Sequence, residues 1–448
     1  MLGMSEQSKI LLLGALLCCS MSAAGIDAPP AVASEAQSLT MTLPSMASSV
    51  ATDEVNRPVM GDFARALRTT LAHNPAVKGK QAELEEQTYQ VDSAKAKRYP
   101  SFTAQANNVN DNYDQGTLRV DQTLWAFGKI DAEIDQANVN VRAEQWSLLQ
   151  VKRQLIEETA VSYAKIEGIK QRLQEAQRNR DEHQHLHQKI ERRQKGQMAS
   201  EADTRLAYSR LLQAQAQTQG IKGELMVAET ELLALTQVPV SSNESISPDL
   251  GLLPLYSEVE QLAIQQSANL QFKRLRLEVV RLEGKREKAS SLPTLYFRVE
   301  HDALDHAPGV DRTRTGLVIE SSLEGMGFVA RGRVKGAAAR LRAAKYDLDT
   351  ALNDVRRRVN VLMLNRQVQN NLYQSQTLTV EAVEATMASF LRQYKTGRKT
   401  WVEVLNTQRE LTDHRLRLVQ LKSDGLMLSL RVAAIIGALD LQAGLQAL

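Results

Sequence analysis

TGRKTWVEVLNTQ (residues 396–408) and KGQMASEADTRLA (195–207) each interrupt a long run of good helix formers at a matched place in the chain. In the first, Thr400 and Glu403 form T-x-x-E; in the second, Ser200 and Asp203 form S-x-x-D. Both spacings are capping boxes, in which a hydroxyl starts a helix and an acid three residues on closes the cap. Gly397 and Gly196 stand just before, where a preceding helix exits through a left-handed residue. The reading is helix, tight tip, helix, twice over. The two tips differ by one residue in spacing: Asp203 follows Gly196 by seven positions and Glu403 follows Gly397 by six.

Proline, by its absence, says how long the flanking helices are. None occurs between Pro100 and Pro239, and none after Pro308. A proline inside a helix costs roughly 3 kcal/mol, so these gaps are where long helices exist. The stretches 128–194 and 331–394 are rich in Gln, Glu, Lys, Arg, Leu and Ala. At 1.5 Å per residue each reaches roughly 95–100 Å, which suits a coiled coil or a tunnel wall. Ile166, Ile169, Leu173 and Ala176 step by helical spacings, and Val404, Leu411 and Leu418 repeat as a heptad seam, as do Leu421 and Leu428. Trp146, Leu149, Ile156, Val161 and Tyr163 broaden the apolar face of the first long helix, as a helix with neighbours on two sides requires.

The order of signals repeats with a period near 200 residues. The first repeat spans 59–237: helix 62–98, hairpin 101–125, long helix 128–194, tip 195–200, helix 200–237. The second spans 257–440: helix 257–290, hairpin 294–323, long helix 331–394, tip 395–400, helix 400–438. A Ser-, Pro- and Gly-containing connector, 238–256, joins them, and 441–448 is a tail. The alternating runs SFTAQANN (101–108), TLRVDQTLW (117–125), TLYFRVEH (294–301) and TGLVIESSL (315–323) have about the length of membrane-spanning β-strands. Leu295, Phe297 and Val299 share one face, as do Leu317 and Ile319. Four strands do not close a barrel, and an open edge in lipid leaves backbone groups unpaired. Strands that cross a membrane here must be pooled from several chains, and three chains would supply twelve.

Composition narrows the class. The chain has 448 residues, 43% hydrophobic and only 4% aromatic, with a net charge of +3, so nothing calls for a nucleic-acid partner. Lys9, the apolar run 10–17 and the small residues 18–25 read as a secretory signal peptide, 1–24, cleaved near Ala24 rather than Ala33. Residues 25–58 read as a flexible N-terminal segment. Both cysteines, Cys18 and Cys19, lie in the signal, which removes disulfides and thiol chemistry from the mature chain, and Leu17 before Cys18 does not suit lipid attachment. No later apolar stretch approaches the length of a transmembrane helix.

The chain resembles the TolC family of outer-membrane channel-tunnels, in its type I secretion, agglutination-protein-like branch. The resemblance rests on DFARALRTTLAHNP (62–75), QTLWAFGK (122–129) and the two breaks, and covers about 58–440. It implies a mainly α fold with a small β part: a long α-helical tunnel plus four strands per chain, making a twelve-stranded barrel in a homotrimer. It implies the outer membrane as location, extending into the periplasm. Implied partners are a periplasmic membrane-fusion adaptor, an inner-membrane ATP-binding cassette (ABC) transporter, outer-membrane lipid and an exported protein, large adhesins included. By the same resemblance Tyr394, Lys399, Glu403 and Asn406 fall at the periplasmic gate. Asn406 stands where the best-known member has an acid, which leaves one carboxylate ring rather than two. Lys399 replaces an arginine, so a bidentate latch is not expected. Lys195, Gly196, Ser200, Asp203, Gly397, Arg398 and Thr400 make up the tips, where a basic rim suits adaptor docking.

His183 and His187 share a helix face but lack the acid of a zinc protease motif, so no metal site is expected. No nucleophile elbow, phosphate loop or dinucleotide fingerprint appears, and neither an enzyme nor a cofactor is expected. Two other functions fit part of the pattern: the outer-membrane component of a drug or metal efflux pump, and a soluble periplasmic coiled-coil adaptor.

Overall fold

A computed structural model describes residues 61–108, 114–247, 249, 254–302, 312–321 and 324–445. The signal peptide, the segment 25–58 and both cysteines lie outside the described residues, as do the outer loops of both hairpins. Each half of the chain runs through the same elements. The first half contains α1 (Asp62–His73), α2 (Pro75–Ala96), β1 (Ser101–Asn108), β2 (Asp114–Trp125), α3 (Lys129–Lys195) and α4 (Glu201–Thr236). The second contains α5 (Tyr256–Gln266), α6 (Ala268–Ala289), β3 (Thr294–Asp302), β4 (Thr313–Glu320), α7 (Phe328–Lys395) and α8 (Trp401–Ile435).

The long helices have 67 and 68 residues, which makes each about 100 Å long. α3 folds back on α4 and α7 on α8, so the body is two helical hairpins side by side. Their seams are the residues with helical spacing in the sequence. Ile156, Tyr163, Ile166, Ile169 and Ala176 of α3 meet Ile221, Ala228 and Leu232 of α4 and Leu430 of α8 in one buried cluster, joined by Phe63 and Leu67 of α1. Val404, Leu405 and Leu411 of α8 pack with Met387 and Tyr394 of α7 and Ile190 of α3 in a second cluster close to the tips.

Two continuous helices expected from sequence are each broken once. The helix expected over 62–98 is split at Asn74, because the residue before Pro75 is driven out of the helical region. Asn74 has ψ 128, and its side chain accepts the Ala76 amide as a new N-cap. The helix expected over 257–290 splits at Ser267, with ψ 109, whose hydroxyl accepts the Leu270 amide. α8 stops at Ile435, short of residue 438, because Gly437 turns the chain at φ 75. Arg153 reaches Asp440 just beyond, at 2.6 Å, and holds this turn against α3.

The four strands form one antiparallel sheet in sequence order. The central pairing is between repeats: Val120 lies opposite Val299 and Asp121 opposite Arg298. β1 and β4 are the two edges.

Candidate functional sites: the hairpin tips and the two faces of the sheet

The two tips are closer copies than their sequences suggest. α3 closes with the Met198 amide donating to the Arg193 carbonyl at 2.8 Å; α7 closes with the Arg398 amide donating to the Gln393 carbonyl at 2.9 Å. The left-handed residue is Gly397, φ 74, at the second tip but Gln197, φ 57, at the first. Gly196 itself has φ −87 and is equivalent to Thr396, φ −93. The expected left-handed exit at Gly196 is therefore corrected to Gln197, and the one-residue slip in spacing disappears. Lys195 matches Lys395, Ser200 matches Thr400, and Asp203 matches Glu403. Ala199 stands where the second tip has Lys399.

Both capping boxes are closed. Ser200 Oγ accepts the Asp203 amide at 3.1 Å, and Asp203 Oδ2 accepts the Ser200 amide at 3.3 Å. Thr400 Oγ1 accepts the Glu403 amide at 3.3 Å, and Glu403 Oε2 accepts the Thr400 amide at 2.9 Å. The other Glu403 oxygen accepts from Lys399 Nζ at 2.7 Å. The bond from Lys399 and those from Thr400 hold the Glu403 carboxyl down to about 2. Lys399 also lies over the Phe390 ring, 4.2 Å from its centroid. Asn406, on the same face of α8, is exposed.

Tyr394 is buried and joins the tips. Its ring lies 5.2 Å from that of Trp401 and 4.9 Å under the Arg193 guanidinium of the other hairpin. Burial pushes its hydroxyl above the ordinary tyrosine range. A second polar link lies further up. Buried Thr412 donates to Asn179 at 2.6 Å, Gln408 donates to Glu182, and Arg415 lies 3.6 Å from Glu182 and 2.7 Å from Glu384. Arg193 belongs to the basic rim expected at the tips, but its place over Tyr394 was not read from sequence, nor were Trp401 and this second link. The signal that finds Arg193 is its place three residues before the first helix break, beside the tip that Tyr394 precedes.

His183 and His187 have different surroundings. His183 is buried, and desolvation, with Arg210 nearby, pushes its imidazole down to about 4. The His187 ring stacks on Tyr208 at 5.4 Å. Among the described residues no group of three or more His, Cys, Asp or Glu side chains is placed to hold a metal ion.

The sheet has two opposite faces. Register places Phe102, Leu118, Val120, Leu295, Phe297, Val299, Leu317 and Ile319 on one of them. Phe102, Leu118, Phe297, Leu317 and Ile319 are exposed there. The other face carries an ion-pair ladder. Arg298 binds Asp121 at 2.6 Å and lies 3.5 Å from Glu320; Glu300 lies 3.5 Å from Arg119 and 3.3 Å from Arg314; Arg314 also reaches Asp302 at 3.1 Å. Among the described residues no helix covers either face. No described helix is long and apolar enough to cross a membrane.

This architecture is a known one. The chain belongs to the outer membrane efflux protein family, a family of transport channels, whose model matches residues 66–236 and 259–438, one segment in each repeat. Among solved structures it is similar to the CusC channel at 15% identity, covering 84% of this chain and 92% of that one, with a TM-score of 0.74. It is also similar to a membrane protein from Pseudomonas aeruginosa, at 14% identity, 84% and 94% coverage and a TM-score of 0.72. The outer membrane protein VceC of Vibrio cholerae matches at 16% identity, 84% and 96% coverage and a TM-score of 0.69. No curated protein matches the chain.

Proposed function

We propose that three copies of this chain form the outer-membrane exit duct of a tripartite type I secretion system. In this reading the duct conducts an unfolded protein from an inner-membrane ABC transporter and a periplasmic adaptor to the outside. The observation that carries it is the sheet, apolar on one exposed face and ionic on the other. A soluble sheet buries its apolar face; a membrane barrel turns it to lipid and keeps charge in the lumen. Each unpaired backbone group at an open edge in lipid costs several kcal/mol, so β4 of one copy pairs with β1 of the next. Three sheets of four strands make twelve. The helical hairpins then extend as a tunnel into the periplasm. A soluble adaptor would have no use for such a sheet.

The tips are the periplasmic mouth in this reading. Tyr394, Lys399, Glu403 and Asn406 form the constriction, and the basic rim of Lys195, Arg392, Lys395 and Arg398 receives the adaptor. Lys399 already neutralises Glu403, so the single carboxylate ring blocks cations weakly. Glu403→Gln in planar bilayers is expected to shift cation preference slightly; unchanged conductance across calcium concentrations removes Glu403 from the pore.

The family match favours a second reading, with small toxic molecules or metal ions as cargo. Deleting the gene separates the two. Loss of a secreted polypeptide with unchanged drug and metal tolerance supports secretion; loss of tolerance with normal secretion supports efflux. Recovery of the protein as a soluble periplasmic species, with no heat-resistant trimer in outer membranes, sinks both.

A further inference from the structure

Both strand-to-helix junctions end in the same unusual way. Before α3 the chain passes through Phe127 at φ 49 and Gly128 at φ 77; before α7 it passes through Met326 at φ 55 and Gly327 at φ 87. Glycine adopts this left-handed region freely, but a large side chain there is strained by roughly 1–3 kcal/mol. Core packing does not account for the choice. Phe127 is 46% exposed and Met326 is 91% exposed, so neither side chain fills a core. A strained, exposed, apolar residue at the equivalent point of two halves that share little sequence calls for something outside the chain to cover it.

The sheet says what that is. The register of β2 on β3 shifts between Thr123 and Trp125, which brings Trp125 opposite Leu295 and therefore onto the apolar face. The Phe127 ring lies 5.6 Å from the Trp125 ring, so it continues that face past the end of the strand. Tyr99, just before β1, and Phe328, just after Met326, are also exposed at this end. An apolar band flanked by amphipathic rings is how a barrel meets the boundary between acyl chains and headgroups.

Resting on the outer-membrane reading above, we infer that Phe127 and Met326 are paired lipid anchors. They seat the base of the barrel in the headgroup–acyl boundary of the periplasmic phospholipid leaflet, two per chain. Trp125 ends β2 and Tyr99 precedes β1, at the same end of the sheet. Methionine suits the exposed site because its flexible thioether adapts to disordered lipid.

The test uses the full chain, with Cys18 and Cys19 changed to serine, reconstituted in phosphatidylcholine vesicles. Single substitutions Phe127→Cys, Met326→Cys, Phe297→Cys and Met198→Cys carry a nitroxide label, and heat-resistant trimers report correct assembly. Immersion is read from collision with oxygen against a water-soluble nickel chelate. Labels at 127 and 326 are expected several-fold more accessible to oxygen than to nickel, at one common depth, shallower than the label at 297. The label at 198, on a tip, is expected to show the reverse. If 127 and 326 behave like 198 while 297 lies in lipid, the anchors are refuted and the channel stands. If 297 is also in water, the membrane reading falls and takes the anchors with it. Should a label at 127 block assembly, the unlabelled protein decides: lipids brominated near the carbonyl are expected to quench Trp125 more than lipids brominated at the chain ends, and the opposite order refutes the anchor.

Discussion

Gly168 lies in the middle of α3, against Ser423 of α8, where the two halves of the chain face each other. A methyl group added at Gly168 would sit 2.1 Å from Ser423 Oγ and 2.6 Å from its Cβ. The hydroxyl can rotate away, at the loss of its 3.5 Å bond to the Ala164 carbonyl. The Cβ is fixed to the backbone and cannot. Carbon atoms rest about 3.5–4.0 Å apart, so Gly168→Ala forces the helices apart by about 1 Å. Overpacking of this kind costs about 1–3 kcal/mol. Against it, alanine is favoured over glycine in a helix interior by about 1 kcal/mol. The tight contact puts the first figure near its upper end, so the net loss is about 1–2 kcal/mol. Thermal unfolding of the detergent-solubilised protein should show it as a lower midpoint. The rescue is specific. Ser423→Ala keeps the offending Cβ and should not restore Gly168→Ala, whereas Ser423→Gly should restore most of the loss. A Gly168→Ala variant at or above wild-type stability would refute the close approach, and equal rescue by Ser423→Ala would refute the assignment to Cβ.

Other consequences are local. Ser200→Ala and Thr400→Ala each remove a cap worth about 1 kcal/mol, and hydrogen exchange should speed at the amides of Asp203 and Glu403 but not in the middle of α8. The Glu403 carboxyl is held at about 2 against an ordinary 4.5, so its contribution to the second tip is full above 4.5 and fades as pH falls through 2. Protection at that tip, taken against the intrinsic exchange rate at each pH, should therefore fall between pH 5 and 2.5, and Glu403→Gln should abolish the fall. His183 is held neutral, at about 4 against 6.5, so its burial contributes fully above pH 6.5 and is lost as pH falls through 4. His183→Leu should lower the midpoint of acid unfolding; an unchanged midpoint would mean the imidazole is hydrated in the folded protein.

The sequence by itself determined the two long helices and the tips that end them, but not the breaks at Asn74 and Ser267 in the shorter ones. Proline gaps, heptad steps and capping boxes are short-range signals, and a helix is a short-range structure whose hydrogen bonds join residues four apart. The strands were legible from alternation, and so was the expectation that, if they cross a membrane, several chains must supply them, because an open edge in lipid leaves backbone groups unpaired. Tertiary structure decided the rest. It moved the left-handed turn of the first tip from Gly196 to Gln197, since which of two adjacent residues turns left depends on how the whole tip closes. It paired Arg193 with Tyr394, and Arg298 with Asp121, across separations of some two hundred residues that no local pattern encodes. It also showed Glu403 held on both oxygens by its own helix end, a state that spacing alone suggested for only one of them. The apolar and ionic faces of the sheet follow the same rule. Alternation says that a strand has two sides, but only the register between strands brings the charges of one side together as a ladder.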